Sequence, residues 1–448
     1  MHLAALFRGV LDAGSRPPVR VASYTLEVLE ELASAGIASN SSDCALVLGY
    51  VPSCLDFEQV HRLLKRRYNA PCILTSTAGE LSSSGKGLYV SNEHEPKVLI
   101  QEFSKSLFER VEMDTIELPC EDILDGENRI SPSVRRERIA KQLSQINHEI
   151  SPEPGRSLVL TLVNGFSHCE NWLMEAVYQD GRFSQPFIGG STGCLPGAGH
   201  APFHDEQALR NQHALLCFIE LHEDFYFRLF KSDNFLPSEH NWMVAESDPA
   251  ERTVSKLLCP QDSRPREAIE VLCQQLDCQP EELQQRLVNY SFATPVAGEL
   301  FVRSVSWVDL EKRCLHFYCD VPFGAELILM EQQSLSEQTE RDYQAFAEGL
   351  PQPLGGVLFD CIQRRRNNPG ELEKIQCFKD FPIAGFSTFG ELFGVNLNET
   401  LCAVFFYSHK DGRDSQRDAE LDDYNDYSGY FKRQQSVARN LWRAIRFR

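Results

Sequence analysis

The sequence predicts a mixed α/β protein built as two related layered domains that reuse one strand-turn unit. Three observations carry this prediction. Short apolar runs alternate with amphipathic stretches along most of the chain, as in layered α/β architectures. Pro, four mostly apolar or small residues and then Ser-Thr occur three times, in "PCILTSTAGE" from Pro71, "PFIGGSTGC" from Pro186 and "PIAGFSTFGE" from Pro382. The length of 448 residues exceeds one ordinary core and suits two or three.

The elements follow in order. "ASYTLEVLEELASAG" has helical apolar spacing, a start near Ser23 or Thr25 and a stop at Gly36. "CALVLGYV" from Cys44 is a buried strand, "DFEQVHRLLKRRYN" a helix and "APCILTST" the next strand. The pattern returns as "RSLVLTLVNG", helix "CENWLMEAVYQD", "PFIGGSTG" and "HALLCFIEL". Around "SEHNWMVAESDPAERTV" the composition turns polar and Pro249 interrupts, which places the main boundary there. Beyond it "REAIEVLCQQLDCQPEELQQRLVNY" is helical and "KRCLHFYCDVPFGAELILM" reads strand, turn, strand. "LSEQTERDYQAFAEGL" is a helix and "GGVLFDCIQ" a strand, while "PIAGFSTFGELFG" and "TLCAVFFY" form a hairpin-like pair. The expected organisation is an N-terminal extension over 1–40, domains over 41–245 and 246–410, and a charged tail over 411–448.

Composition removes several function classes. A formal charge of -20 argues against a general nucleic-acid binder, because phosphate affinity needs clustered Lys and Arg. The fifteen cysteines contain no CxxC pair and no Cys/His cluster at zinc-ligand spacing, so a structural zinc site is not expected. Their odd number, with no leader-like N-terminus, predicts reduced thiols and a cytoplasmic location. No apolar run is long enough for a membrane-spanning helix.

The fixed offset from proline to Ser-Thr indicates one structural device repeated. Proline suits the first residue of a strand, where no ladder donor is needed. Ser-Thr and Gly suit the bend at its end. Such a bend is either a tight turn alone or a cradle of backbone N–H groups and hydroxyls for a carboxylate or other small anion. Glu80 and Glu391 end two copies alike, and each is a candidate acid, base or ammonium ligand as well as a candidate cap. In the middle copy Cys194 takes the corresponding place.

"PCILTSTAGE", then "TLVNGF", "ENWLMEAVYQ" and "QPFIGGSTG", and later "GGVLFDCIQRRR" and "FPIAGFSTFGELFGVNLNET", resemble in order the N-terminal and C-terminal halves of the FIST sensory domain, over roughly residues 40 to 410. The resemblance implies an intracellular ligand-sensing module working with a signalling partner such as a histidine kinase. It further implies the stand-alone bacterial kind, since the first 40 residues carry no F-box pattern. Some such proteins are haem-based nitric-oxide sensors, and others sense small molecules such as amino acids. Carried over residue by residue, it marks Gly189, Gly190, Ser191 and Thr192, Cys361 and Arg364, Phe386, Ser387 and Glu391, and Asn398 with Thr400 as the ligand site.

The remaining chemistry leaves alternatives open. No hydrolase elbow, P-loop or dinucleotide fingerprint is present. Cys361 before Arg364 and its two neighbours is either a thiol of lowered pKa or a buried small hydrophobe. Haem would need an axial ligand, for which His168 and His316 are weak candidates. The expectation is a non-enzymatic sensor with haem as its one candidate cofactor. The alternatives are an enzyme using Glu391, Glu80 or Cys361, and an interaction scaffold. Residues 411–426 hold seven acids and two arginines, whereas 432–448 hold six bases and no acid. Tyr427, Phe431, Ala438, Leu441, Trp442 and Ile445 recur at near-helical spacing, giving a basic amphipathic helix that packs on its own domain or docks to a kinase or membrane surface.

Overall fold

In each of three successive segments the chain runs strand, helix, strand, helix, strand, and ends on a fourth long strand. The computed structural model describes residues 17–35, 43–84, 87–90, 95–150, 152–153, 155–259, 264–410, 427–434 and 436. The first copy comprises Val19–Thr25, helix Leu26–Ser34, Cys44–Pro52, helix Phe57–Arg67, Cys72–Thr77 and Lys97–Ser104. The second comprises Phe108–Glu117, helix Pro132–Leu143, Ser157–Val163, helix Glu170–Asp180, Phe187–Ser191 and His213–Leu221. The third comprises Phe225–Asp233, helix Leu335–Phe346, Gly355–Cys361, helix Ile362–Asn367, Ile383–Thr388 and Thr400–Ser408.

Local chemistry explains the elements. Thr25, Asp56 and Ser131 cap helices with side-chain oxygens that accept backbone N–H groups two or three residues into the helix. Gly181 in the left-handed region ends the helix Glu170–Asp180. Ser157–Val163 and Gly355–Cys361 are buried along their whole length, which accounts for their unbroken apolar runs.

Each copy lays its four strands in the same order: first, fourth, second, third. Within a copy only the second and third strands are parallel, joined by the crossover helix that such a pair requires. The three prolines sit identically. The carbonyls of Pro71, Pro186 and Pro382 accept the amides of Val47, Val159 and Gly356 at 2.9, 2.9 and 3.1 Å, just before the strand that carries Ser-Thr. The three sheets share one apolar core, which Tyr50, Phe103, Leu160, Phe218, Phe359 and Phe406 supply from all three copies. That burial is the main force holding the copies together.

The short segments after Ser-Thr leave home. Glu80–Ser82 of the first copy pairs with Ile383–Thr388 of the third, and Glu391–Phe393 of the third pairs with Phe187–Ser191 of the second. Phe203–Asp205 of the second pairs with Cys72–Thr77 of the first, closing a cycle of strand exchange.

Several sequence expectations change. "PIAGFSTFGELFG" and "TLCAVFFY" are not a hairpin, because Gly355–Cys361 lies between their long strands. The polar stretch taken as a boundary is the strand Phe235–Asp248, continuous through residue 245. It belongs to an insertion in the third copy, an eight-stranded sheet with helices Ala268–Leu276 and Pro280–Arg286 around a separate core of Trp242, Leu257, Leu272, Phe292 and Leu327. Cys314–Phe317 and Glu326–Gln332, expected as neighbours, pair with other strands of that sheet. Gly36 and residues 437–448 lie outside the described residues. From Tyr427 onward a helix does form, and Tyr427, Tyr430 and Phe431 bury their rings in the shared core beside Tyr178 and Phe301. No helix among the described residues is long and apolar enough to cross a membrane.

Candidate functional site

The strand exchange brings the three Ser-Thr pairs together. Ser76, Ser191 and Ser387 are all fully buried. The amides of Ala78, Gly193 and Phe389 donate to the carbonyls of Ser387, Ser76 and Ser191 at 3.2, 3.3 and 3.1 Å. In turn the amides of Ser76, Ser191 and Ser387 donate to the carbonyls of Pro202, Gly390 and Gly79 at 3.0, 2.8 and 2.7 Å. Every copy thus bonds its neighbours through the same two amides. Those six amides are already used and cannot cradle an anion. The proline spacing encodes a hub.

The side chains at the hub differ between copies. Ser76 donates to the Gly193 carbonyl at 2.6 Å, and Ser191 donates to Glu170 at 2.6 Å. The Ser387 hydroxyl is buried without a partner. Thr77 donates to Glu80 and Thr388 to Glu391, whereas Thr192, whose copy has no glutamate there, donates to the Ala201 carbonyl.

A cavity of about 170 Å³ opens beside the first-copy turn, with a mostly apolar wall (Pro52, Val90 and Leu195 among others) into which Thr77, Glu80 and Arg365 bring polar groups. It joins all three copies, since Arg365 comes from the third and Leu195 from the second. Gly79 has φ +149°, and a Cβ there would lie 1.9 Å from Arg365 Nη1. A side chain at residue 79 would therefore expel the guanidinium. Arg365 stacks over the Tyr89 ring at 5.8 Å and makes no ion pair among the described residues. The cavity thus is lined by both a buried carboxylate and a guanidinium that has no ion pair among the described residues. Arg365 follows Arg364 in the three-arginine run, and helical rotation separates them. Arg364 turns into the third copy, while Arg365 faces the first.

The residues marked by the resemblance divide into groups. Cys361, Ser387, Glu391, Asn398 and Thr400 cluster around Thr388. Cys361 is its cross-strand partner, and the Thr400 amide donates to Glu391 at 3.3 Å. Gly190 packs against Thr388 from the second copy, and Gly189, Ser191 and Thr192 continue its strand. Phe386 points into the shared core against Tyr50 and Phe359. Arg364 is elsewhere, wholly buried, bonded to Asp360 at 2.8 Å and to Thr339 at 2.9 Å. It is a structural ion pair.

Burial in the Glu391 cluster favours the neutral forms of its acids. Burial, with Asp360 nearby, pushes the Glu391 carboxyl well above the usual carboxylate range. Burial and the neighbouring Glu391 likewise raise Cys361, so it is a buried thiol and not a nucleophile of lowered pKa. The Asn398 amide is fully buried with neither Oδ1 nor Nδ2 partnered.

A second buried polar group joins the second copy to the insertion. Arg252 reaches Glu170 at 2.5 Å, and its Nε lies 3.2 Å from Asp320 Oδ1, close enough for an ion pair but off the hydrogen-bond direction. Burial pushes Asp320 up to about 6, against the pull of Arg252. His168 belongs here, held down to about 4 by Arg252 and burial, with Nδ1 enclosed and unpartnered. His316 stacks on Trp307 at 4.1 Å with Nε2 turned to Asp309 at 3.7 Å. A haem iron needs a nitrogen aimed into an apolar cleft. Neither histidine offers one, so these residues do not fit haem.

Three α/β copies locked by exchanged strands, with a small, mostly apolar cavity carrying a few polar groups between them, define a scaffold suited to holding a small ligand. The FIST N domain profile matches residues 45–257 and the FIST C domain profile residues 268–394. The chain belongs to the FIST family, whose domains are sensory domains that bind small ligands, and a generic sensory role follows. No curated protein matches it.

Proposed function

We propose that the protein senses a small zwitterion, an amino acid or a metabolite of similar charge and size, in the cavity between Glu80 and Arg365. The observation that carries this reading is that a buried carboxylate and a guanidinium without an ion pair among the described residues both line one cavity of about 170 Å³. The ammonium of the ligand pairs with Glu80, and its carboxylate with Arg365. The volume suits a ligand below drug size, since drug-sized pockets start at roughly 300 Å³. Glu80 lies on the exchanged strand and Arg365 on the third copy, so the bound ligand bridges two copies and biases their packing. A signalling partner such as a histidine kinase reads that bias.

The enzymatic alternative has less support. Glu391 and Cys361 are almost fully buried, are pushed by burial toward their neutral forms and do not line this cavity. Thermal-shift screening against a panel of amino acids tests the proposal. At least one should raise the melting temperature of the wild type and leave Arg365→Ala and Glu80→Gln unmoved. A shift that survives in both variants, or none with any zwitterion, would refute it.

A further inference from the structure

We propose that Asp309, Cys314 and His316 form a divalent-metal site on the inserted sheet, and that zinc is the ion their chemistry selects. The three residues sit on one hairpin, Val305–Asp309 with Cys314–Phe317. Cys314 and His316 are two apart on one strand and so share a face, and Asp309 is the cross-strand partner of Cys314. One donor atom from each lies within 4.8 Å of the other two. Cys314 Sγ is 3.7 Å from His316 Nε2, which is 3.7 Å from Asp309 Oδ2.

The two separations from His316 Nε2 match a shared tetrahedral ion. Zinc bonds of about 2.3 Å to sulfur and about 2.0–2.1 Å to nitrogen or oxygen put sulfur and nitrogen about 3.6 Å apart, and nitrogen and oxygen about 3.4 Å. The two separations made by His316 Nε2 therefore need to close by only a few tenths of an ångström, and the third, Cys314 Sγ to Asp309 Oδ2, is at most 4.8 Å. The surroundings already orient two ligands. Asp309 Oδ1 accepts the Lys312 amide at 2.9 Å, which leaves Oδ2 for the ion. The Trp307 ring lies parallel to the imidazole at 4.1 Å and fixes its plane. The Lys312 ammonium, the nearby adverse charge, is paired with Glu251 at 3.7 Å.

Thiolate, imidazole and carboxylate together suit zinc, whereas magnesium and calcium prefer oxygen alone. Three protein ligands leave a fourth position for water or an exogenous group. The spacing D-x4-C-x-H escapes a search for paired CxxC motifs, because two ligands come from alternate strand positions and the third from across the turn.

The test uses the full chain, stripped with chelator and then titrated separately with zinc and cobalt. The wild type should retain one zinc through gel filtration. Cobalt should give a thiolate charge-transfer absorption and change the Trp307 emission. Cys314→Ala and His316→Ala should each weaken binding more than tenfold, and so should Asp309→Asn, which keeps an acceptor for the Lys312 amide and so preserves the hairpin. Trp307→Phe should keep the stoichiometry and lose the emission change. Zinc retention unchanged in Cys314→Ala and Asp309→Asn, or no zinc retained by the wild type, would overturn the proposal.

Discussion

Gly190→Ala tests the hub where two copies press closest. A Cβ at residue 190 would lie 2.6 Å from Thr388 Cγ2, 3.0 Å from the Gly390 carbonyl oxygen and 3.2 Å from Thr388 Cβ. Carbon atoms pack at roughly 3.5–4.0 Å, so the second and third copies must part by about 1 Å at a fully buried site. Overpacking of this kind costs about 1–3 kcal/mol. The strain reaches the hub, because the Gly390 carbonyl accepts the Ser191 amide at 2.8 Å. Thr388→Ser removes Cγ2, keeps the hydroxyl that donates to Glu391, and alone costs roughly 1 kcal/mol for the lost buried methyl. The double variant should be more stable than the sum of the single losses by about 1 kcal/mol. Relief stays partial, since the carbonyl cannot be removed. Urea denaturation of the four proteins, followed by tryptophan emission, measures the cycle. A neutral Gly190→Ala, or strictly additive effects, would refute the close approach.

Glu391→Gln should change how stability depends on pH. The folded carboxyl keeps its proton above the ordinary value of 4.5, so the folded state binds more protons than the unfolded one. Its stabilising contribution is full below pH 4.5 and is lost as pH rises toward the folded value. The variant should gain on the wild type by up to about 1.4 kcal/mol per pH unit above that point. Parallel denaturation curves from pH 4.5 to 8 would sink the argument. Phe431→Ala removes a ring buried against Tyr178 at 5.6 Å and should cost about 3 kcal/mol, read as a lowered melting temperature. An unchanged melting temperature would mean that the C-terminal helix does not pack on this core.

Much of the scaffold is legible locally. Thr25, Asp56 and Gly181 announce helix ends, and the uninterrupted apolar runs at 157–163 and 355–361 announce buried strands. The three prolines announce equivalent strand starts. Partner choice is not local. Nothing in "STAGELS" shows that Glu80–Ser82 pairs with residues three hundred positions away, or that Gly355–Cys361 slips between two strands expected to be neighbours. The insertion is not legible in the sequence because Phe235–Asp248 is a largely exposed strand, and its polar face resembles a linker. The site was legible in part. Ser-Thr-Gly and the two glutamates point to the hub, and of the two readings of the bend the amides at its two repeated positions favour the turn, since they close the ring. The arginine that faces the cavity is the neighbour of the one singled out, a difference set by helical phase.

Native mass spectrometry with an absorption spectrum, on the wild type and on Arg365→Ala/Glu80→Gln, tests the central claim most directly. With the amino acid that gave the thermal shift, the wild type should carry one added zwitterion mass and the double variant none. The same added mass on both proteins, or a haem Soret band on the wild type with no zwitterion bound, would contradict the account.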